Sequence, residues 1–315
     1  MNPDMRVRLA GLELANPVIA AAGCAGTGRE LARFYDIARL GALATKSVML
    51  EPRAGRPAPR VAETPSGMLS AIGLQGPGIE VFLQRDLPWL RSRGCTTVAS
   101  VAGSGADEYA ALAARLTAEA GVSMLEVNLS CANPAGHGRD FADDPAEAAR
   151  VVAAVRGSAE PELPVFAKLA ADVPDPVALA GACVDAGADG LSMVNCLRGM
   201  AIDPATLRPV VAGGVGGVSG PAIRPIAVGC VYRVRAALPD VPIIGTGGVR
   251  TGADALEFLA AGASAVGAGT VNFADPSACV RILRELAELL EERGADRVTD
   301  VVGAAHRPLG TVQGR

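Results

Sequence analysis

The stretch EAGVSMLEVNLSC, residues 119–131, decides the fold. A helical pattern, ADEYAALAARLTAEA (106–120), runs into Gly121, and an apolar run follows with no polar alternation until Asn128, Ser130 and Cys131. That order is helix, glycine, buried strand, polar strand end. The same punctuation recurs in RLGALAT (39–45), SRGCTTVA (92–99), DAGADGL (185–191) and AAGASAV (260–266). Gly41, Gly94, Gly121, Gly187 and Gly262 are therefore expected to cap helices in the left-handed conformation, where a missing Cβ removes the steric cost.

Outward from this unit, eight runs read as strands: 16–23, 42–48, 96–103, 123–131, 164–170, 190–196, 241–248 and 265–270. Amphipathic segments lie between them, from RELARFYDIARL (29–40) and IEVFLQRDLPWLRSR (79–93) to PSACVRILRELAELLEER (276–293). Strands apolar on both faces, each followed by a helix, imply a parallel sheet covered by helices. Eight such units predict an α/β fold, a (β/α)8 TIM barrel forming one domain over residues 1–315, with a doubly wound open sheet as the alternative. Two connections, 49–77 and 197–222, exceed the usual length, and long connections inside a compact domain are usually functional.

Composition excludes several function classes. A net charge of −4 with no basic run gives no general attraction to nucleic acid. The charged N-terminus resembles no signal peptide, and no apolar run approaches the length of a bilayer span, so a cytoplasmic protein is expected. Seven scattered cysteines without a CxxC pair argue against a disulfide framework, a metal site or an iron–sulfur cluster held by this chain. Of 29 basic residues only Lys46 and Lys168 are lysines. Arginine has taken every generic positive position, which leaves these two as candidates for sites that need a compact ammonium.

In a barrel the active site lies at the C-terminal strand ends. Lys46 closes the second strand, Asn128 and Cys131 the fourth, Lys168 the fifth and Asn195 the sixth. Cys131 on local grounds alone would be a small buried hydrophobe, as most free cysteines are; its strand-end position makes it a candidate base. Gly247-Gly248 and Gly269-Thr270, ending the seventh and eighth strands, suit a phosphate bound by backbone N–H groups, although a tight turn explains them equally. The two histidines, His137 and His306, end no strand, so a serine-histidine relay or a multi-histidine metal site is not expected. No carboxylate closes any strand, which counts against glycoside hydrolysis by paired acids. A thiol, two ammonium groups, several amides and a phosphate turn suit flavin-mediated removal of hydrogen from a cyclic imide. A Schiff-base lyase using Lys168 is the competing class, and a flavin-binding module without turnover a further one.

The motifs NPVIAAAG, TKSVMLEPRAGRPAPRVAETPSGMLSAIGLQGPG, VNLSCANP, AKL, GMAID, GGVSGPAIRPIA and IIGTGGVRTGADALEFLAAGASAV together resemble the class I dihydroorotate dehydrogenases, closest to the NAD-coupled catalytic subunit. The resemblance covers nearly the whole chain and implies FMN-dependent oxidation of dihydroorotate to orotate in pyrimidine biosynthesis. It implies Cys131 as the base that takes the C5 proton, with Lys46 beside it in the catalytic machinery. It places Ala22, Lys46, Ser47, Ser100, Asn128 and Lys168 around the cofactor, together with Val194, Gly220, Gly247, Gly248, Gly269 and Thr270. For substrate it implies Lys46, Ser70, Ile72, Gly73, Leu74, Asn128, Asn133, Asn195 and Cys196, and no metal.

Departures cluster in that set. Ser70 and Gly76 stand where the family carries asparagines, and Cys196 where it carries threonine or serine. Ala22, Ser100 and Ala132 replace a usual serine, asparagine and proline. The flavin scaffold persists while the substrate's hydrogen-bond set thins, so the same chemistry on another dihydropyrimidine or cyclic amide is the second expectation. With no second nucleotide fingerprint and no cysteine cluster, the chain has no evident route to NAD. The resemblance implies a homodimer served by a separate electron-transfer subunit carrying FAD and a [2Fe–2S] cluster.

Overall fold

The computed structural model describes residues 3–130 and 140–308. Eight parallel strands close into a barrel: β1 Val18–Ala20, β2 Ala42–Ala44, β3 Thr97–Val101, β4 Met124–Asn128, β5 Val165–Leu169, β6 Gly190–Met193, β7 Ile243–Thr246 and β8 Ala265–Ala268. Each pairs with the next in sequence, as in Leu125↔Val165 and Leu191↔Ile243, and Val266↔Val18 closes the ring. All eight expected strands are present in the expected order, and the open-sheet alternative falls to the β8–β1 pairing. These strands are almost wholly buried on both faces, which is why their sequences read as continuous apolar runs rather than alternating ones.

The helices start where the sequence provides caps. Asp144 and Asp175 accept hydrogen bonds from the first-turn amides of helices Pro145–Ser158 and Pro176–Asp185, each with proline at its first position. Thr251 and Asp254 cap Gly252–Ala261 reciprocally, and Gly262 ends it with φ +115°. Gly94 and Gly187 are likewise left-handed just past their helices; Gly121 is left-handed too, but it is not a cap, because its helix, Ala106–Thr117, has already ended at Ala118.

Two further expectations fail for local reasons. Gly41 is not a left-handed cap: a Cβ there would stand 2.0 Å from the Asn16 carbonyl oxygen, so the glycine serves close backbone approach. Segment 29–40 is not one helix but two 3-10 turns, Leu31–Arg33 and Ile37–Arg39. Asp36 turns extended (ψ 113°) between them and accepts from the Ala38 amide, which restarts the chain instead of continuing it.

The two long connections meet above the barrel. Val61–Thr64 and Gly67–Ser70 from the first join Leu197–Met200 and Val215–Ser219 from the second in one antiparallel sheet. Gly217↔Ser70 and Val218↔Leu69 form the seam. Among the described residues no helix is long and apolar enough to cross a membrane.

Candidate active site at the C-terminal mouth of the barrel

The barrel mouth and the four-stranded sheet above it enclose a cleft of about 1170 Å³. Lys46, Asn128, Lys168 and Asn195, expected at four different strand ends, all line it. So do Ala22, Ser47, Ser100 and Val194 from the expected cofactor set, and Ser70, Ile72, Gly73, Leu74 and Cys196 from the expected substrate set. Gly220, Gly247, Gly248, Gly269 and Thr270 complete the wall. Cys131 and Asn133 lie outside the described residues, as does His137; Ser130, the sequence neighbour of Cys131, lines the cleft.

A chain of hydrogen bonds ties these strand ends into one surface. Asn195 Nδ2 donates to Asn128 Oδ1 (3.1 Å), and Asn128 Nδ2 donates to Ser47 Oγ (3.2 Å), which shares a proton with Ser100 Oγ at 3.1 Å. The Ser130 amide also donates to Asn128 Oδ1, and Tyr109 donates to the Asn128 carbonyl at 2.6 Å. Ends of β2, β3, β4 and β6 are thereby fixed relative to one another, with Asn128 at the hub. Amide orientations follow from this network.

The charged groups divide by depth. Lys46 is half-buried, and burial pulls its pKa below the ordinary lysine value; Arg60 adds to that, while Cys24 opposes it. Lys168 is buried on the floor, and its Nζ lies 3.3 Å from Glu126 Oε1 and 3.4 Å from Oε2. Glu126 was missed by the sequence reading because it sits inside β4 rather than at its end. The available signal was a single carboxylate in a strand otherwise apolar on both faces, two residues before Asn128. The lyase alternative needs this Nζ as its nucleophile, and here Nζ is ion-paired with Glu126. Burial also pushes the Cys24 thiol up to about 12 and raises Cys196, so neither described thiol of the cleft is a poised thiolate.

On the opposite wall Gly247 and Gly248 have φ +126° and +80°. A Cβ on Gly248 would lie 2.7 Å from the Gly220 carbonyl oxygen, so this turn packs too closely for a side chain, and both glycines line the cleft. Thr270 Oγ1 donates to Ser219 Oγ at 2.9 Å across the same wall. Of the departures, Ala22, Ser70, Ser100 and Cys196 line the cleft, and Ala132 lies outside the described residues. Gly76 is turned into a backbone pair with Arg53, and a Cβ on it would stand 2.9 Å from Met49 Cε.

A family profile described as dihydroorotate dehydrogenase matches residues 4–290. The chain belongs to the dihydroorotate dehydrogenase family. It is 49% identical over 304 residues to the protein named dihydroorotate dehydrogenase B (NAD(+)), catalytic subunit, of Pelobacter propionicus, covering 96% of this chain and 99% of that one. The protein of the same name from Anoxybacillus flavithermus is 48% identical, with 95% of each chain covered. Among solved structures, a dihydroorotate dehydrogenase of Eimeria tenella in complex with ferulenol superposes with TM-score 0.80 over 98% of this chain and 90% of that one, at 23% identity, which attests the fold. Membership fixes the class of chemistry as oxidoreduction at a carbon–carbon bond, and family motifs and barrel geometry converge on the same mouth.

Proposed function

We propose that this chain oxidises dihydroorotate to orotate in pyrimidine biosynthesis, with FMN as cofactor and Cys131 as general base. The reading is carried by one observation: Lys46, Lys168, Asn128 and Asn195 share a single cleft with the paired glycine turns of β7 and β8. The lining suits FMN. The Gly247-Gly248 turn, which has no room for a Cβ, can approach a phosphate through its amides, and a buried ammonium can face the electron-poor ring at the floor. Ser130 Oγ is buried without a hydrogen-bond partner among the described residues, the kind of orphan that a bound ligand satisfies.

Bound flavin supplies the hydride acceptor for C6 of the substrate. Cys131 takes the C5 proton, which a thiolate does far better than a hydroxyl at neutral pH. Lys168 would hold its ammonium at the floor against the bound ring, where it would favour negative charge. Asn128 and Asn195 present amide donors and acceptors to the planar ring edge, held in register by their mutual hydrogen bond. Lys46 offers an ammonium at the substrate side, and the turn Ile72–Leu74 closes that side.

The relatives are named as the catalytic subunit of an NAD(+)-linked enzyme. The corresponding arrangement here is a cytoplasmic homodimer of this chain with an electron-transfer subunit carrying FAD and a [2Fe–2S] cluster. A second substrate reading has its own support. Ser70 and Cys196 face the cleft where longer amides or hydroxyls are usual, so a dihydropyrimidine that needs fewer hydrogen bonds fits as well. A buried polar group of the substrate left without its partner costs about 1–3 kcal/mol.

The deciding experiment is anaerobic mixing of the flavin-loaded chain with dihydroorotate and a panel of neutral dihydropyrimidines. Rapid bleaching by dihydroorotate is expected, slowed by orders of magnitude in Cys131→Ser with FMN retained. Bleaching only by a neutral dihydropyrimidine moves the substrate, and unchanged kinetics in Cys131→Ser sink the base assignment. Fast reoxidation of the lone chain by NAD would refute the second subunit.

A further inference from the structure

Glu126 is a carboxylate in the barrel interior, and Lys168 is the other charged residue within the eight barrel strands. It is 3% exposed and Lys168 6%, and the two touch through both carboxylate oxygens, 3.3 and 3.4 Å from Nζ. The register pairs Glu126 with Phe166 and Asn128 with Lys168, so the pair spans neighbouring strands diagonally. Above it the carboxylate and the ammonium both reach the floor of the cleft. Beneath it is a cavity of only about 10 Å³, walled by Ile19, Ala44, Val98 and Ile244, with room for no more than about one water. The two charges are in direct contact, and both border the cleft.

We propose that Glu126 is a positioning residue for the redox cofactor: it fixes the Lys168 ammonium in the floor and offsets its charge, so that the pair, not the lysine alone, sets how strongly the site favours reduced flavin. This rests on the flavin reading of the cleft. An isolated buried ammonium facing the ring would favour the anionic reduced form strongly. A carboxylate touching that ammonium opposes it through the same low-dielectric medium. A structural role for the pair requires only its formation. A redox role requires that its net charge be felt in the cleft, and the position of both groups on the cleft floor supplies that condition. The other ionisable floor groups, Cys24 and Cys196, stay protonated because burial raises both thiols, and Lys46 stands at the half-buried rim. Neither thiol can replace the counter-charge.

The test uses the flavin-loaded full chain and Glu126→Gln, which keeps volume and an acceptor oxygen for Lys168 while removing charge. Sulfite forms an adduct at flavin N5 that places negative charge on the same ring edge, so its affinity reports the local field without turnover. Glu126→Gln is expected to bind sulfite about tenfold more tightly and to raise the two-electron flavin potential correspondingly, by about 30 mV. Glu126→Asp keeps the charge but withdraws it by one methylene, and a smaller shift of the same sign is expected; it decides the matter if the glutamine variant does not fold. Sulfite affinity and potential unchanged in a folded, flavin-loaded variant would overturn the proposal and leave the pair a structural one. Wild-type protein that takes up no flavin would overturn the reading of the cleft itself, and this inference with it.

Discussion

Replacing Lys168 by methionine tests whether the floor pair is as tightly coupled as its geometry implies. Methionine keeps length and apolar volume but leaves Glu126 as a carboxylate 3% exposed with its counter-charge gone. At 3.3 Å and an effective dielectric near 20, the missing attraction is about 5 kcal/mol. Removing one partner of a buried pair typically costs about 3–5 kcal/mol, so the two routes agree. Unfolding entropy of about 2 cal/mol/K per residue makes each kcal/mol worth about 1.5 °C in a chain of this length, which predicts a melting temperature lower by about 5–8 °C. The assay is calorimetry on wild type, Lys168→Met, and the double variant Lys168→Met with Glu126→Leu. Replacing both charges by apolar groups removes the stranded carboxylate, and most of the stability should return. A single variant within about 1 °C of wild type, or a double variant no better than the single, would refute the reasoning.

Thiol chemistry and backbone packing give two further checks. Burial pushes Cys24, Cys95 and Cys183 up to about 12 and Cys279 to about 11, and raises Cys196 and Cys230, so in mildly alkaline buffer the native chain should show one fast thiol, absent in Cys131→Ser. A fast thiol that persists in that variant would remove the support for Cys131 as base. Gly41→Ala should lower stability by several kcal/mol in denaturant titration, since its Cβ would fall 2.0 Å from the Asn16 carbonyl oxygen; a loss under about 1 kcal/mol would show that the backbone there yields easily.

The barrel was legible because one physical pattern repeats. A strand buried on both faces cannot alternate, a helix on its flank must, and the glycine between them ends the helix at Gly94, Gly187 and Gly262, whereas the helix before Gly121 ends earlier, at Thr117. Where that pattern met a competing local interaction it misled. Gly41 carries the same sequence signature as its four counterparts, yet what requires glycine there is the close approach of the Asn16 carbonyl, 25 residues away in sequence and invisible to any local reading. Segment 29–40 has helical spacing throughout, but a single aspartate that prefers to cap its own backbone splits it.

The site divides along the same line. Strand ends can be counted from sequence, so Lys46, Asn128, Lys168 and Asn195 are brought to one face by counting alone; all four line the cleft. Their connection into one hydrogen-bonded chain through Ser47 and Ser100 depends on side-chain directions across four strands, which sequence spacing does not encode. Glu126 shows the limit most clearly. Period-two alternation puts it on the face of Asn128, and strand pairing puts that face beside Lys168, but only the closed ring turns the face inward instead of toward a helix. Once closure is given, an inward carboxylate must find a cation or remain stranded, and Lys168 is the one lysine within a barrel strand. The scarcity of lysine first marked this position, and the ion pair across β4 and β5 gives that lysine its partner at the floor of the cleft.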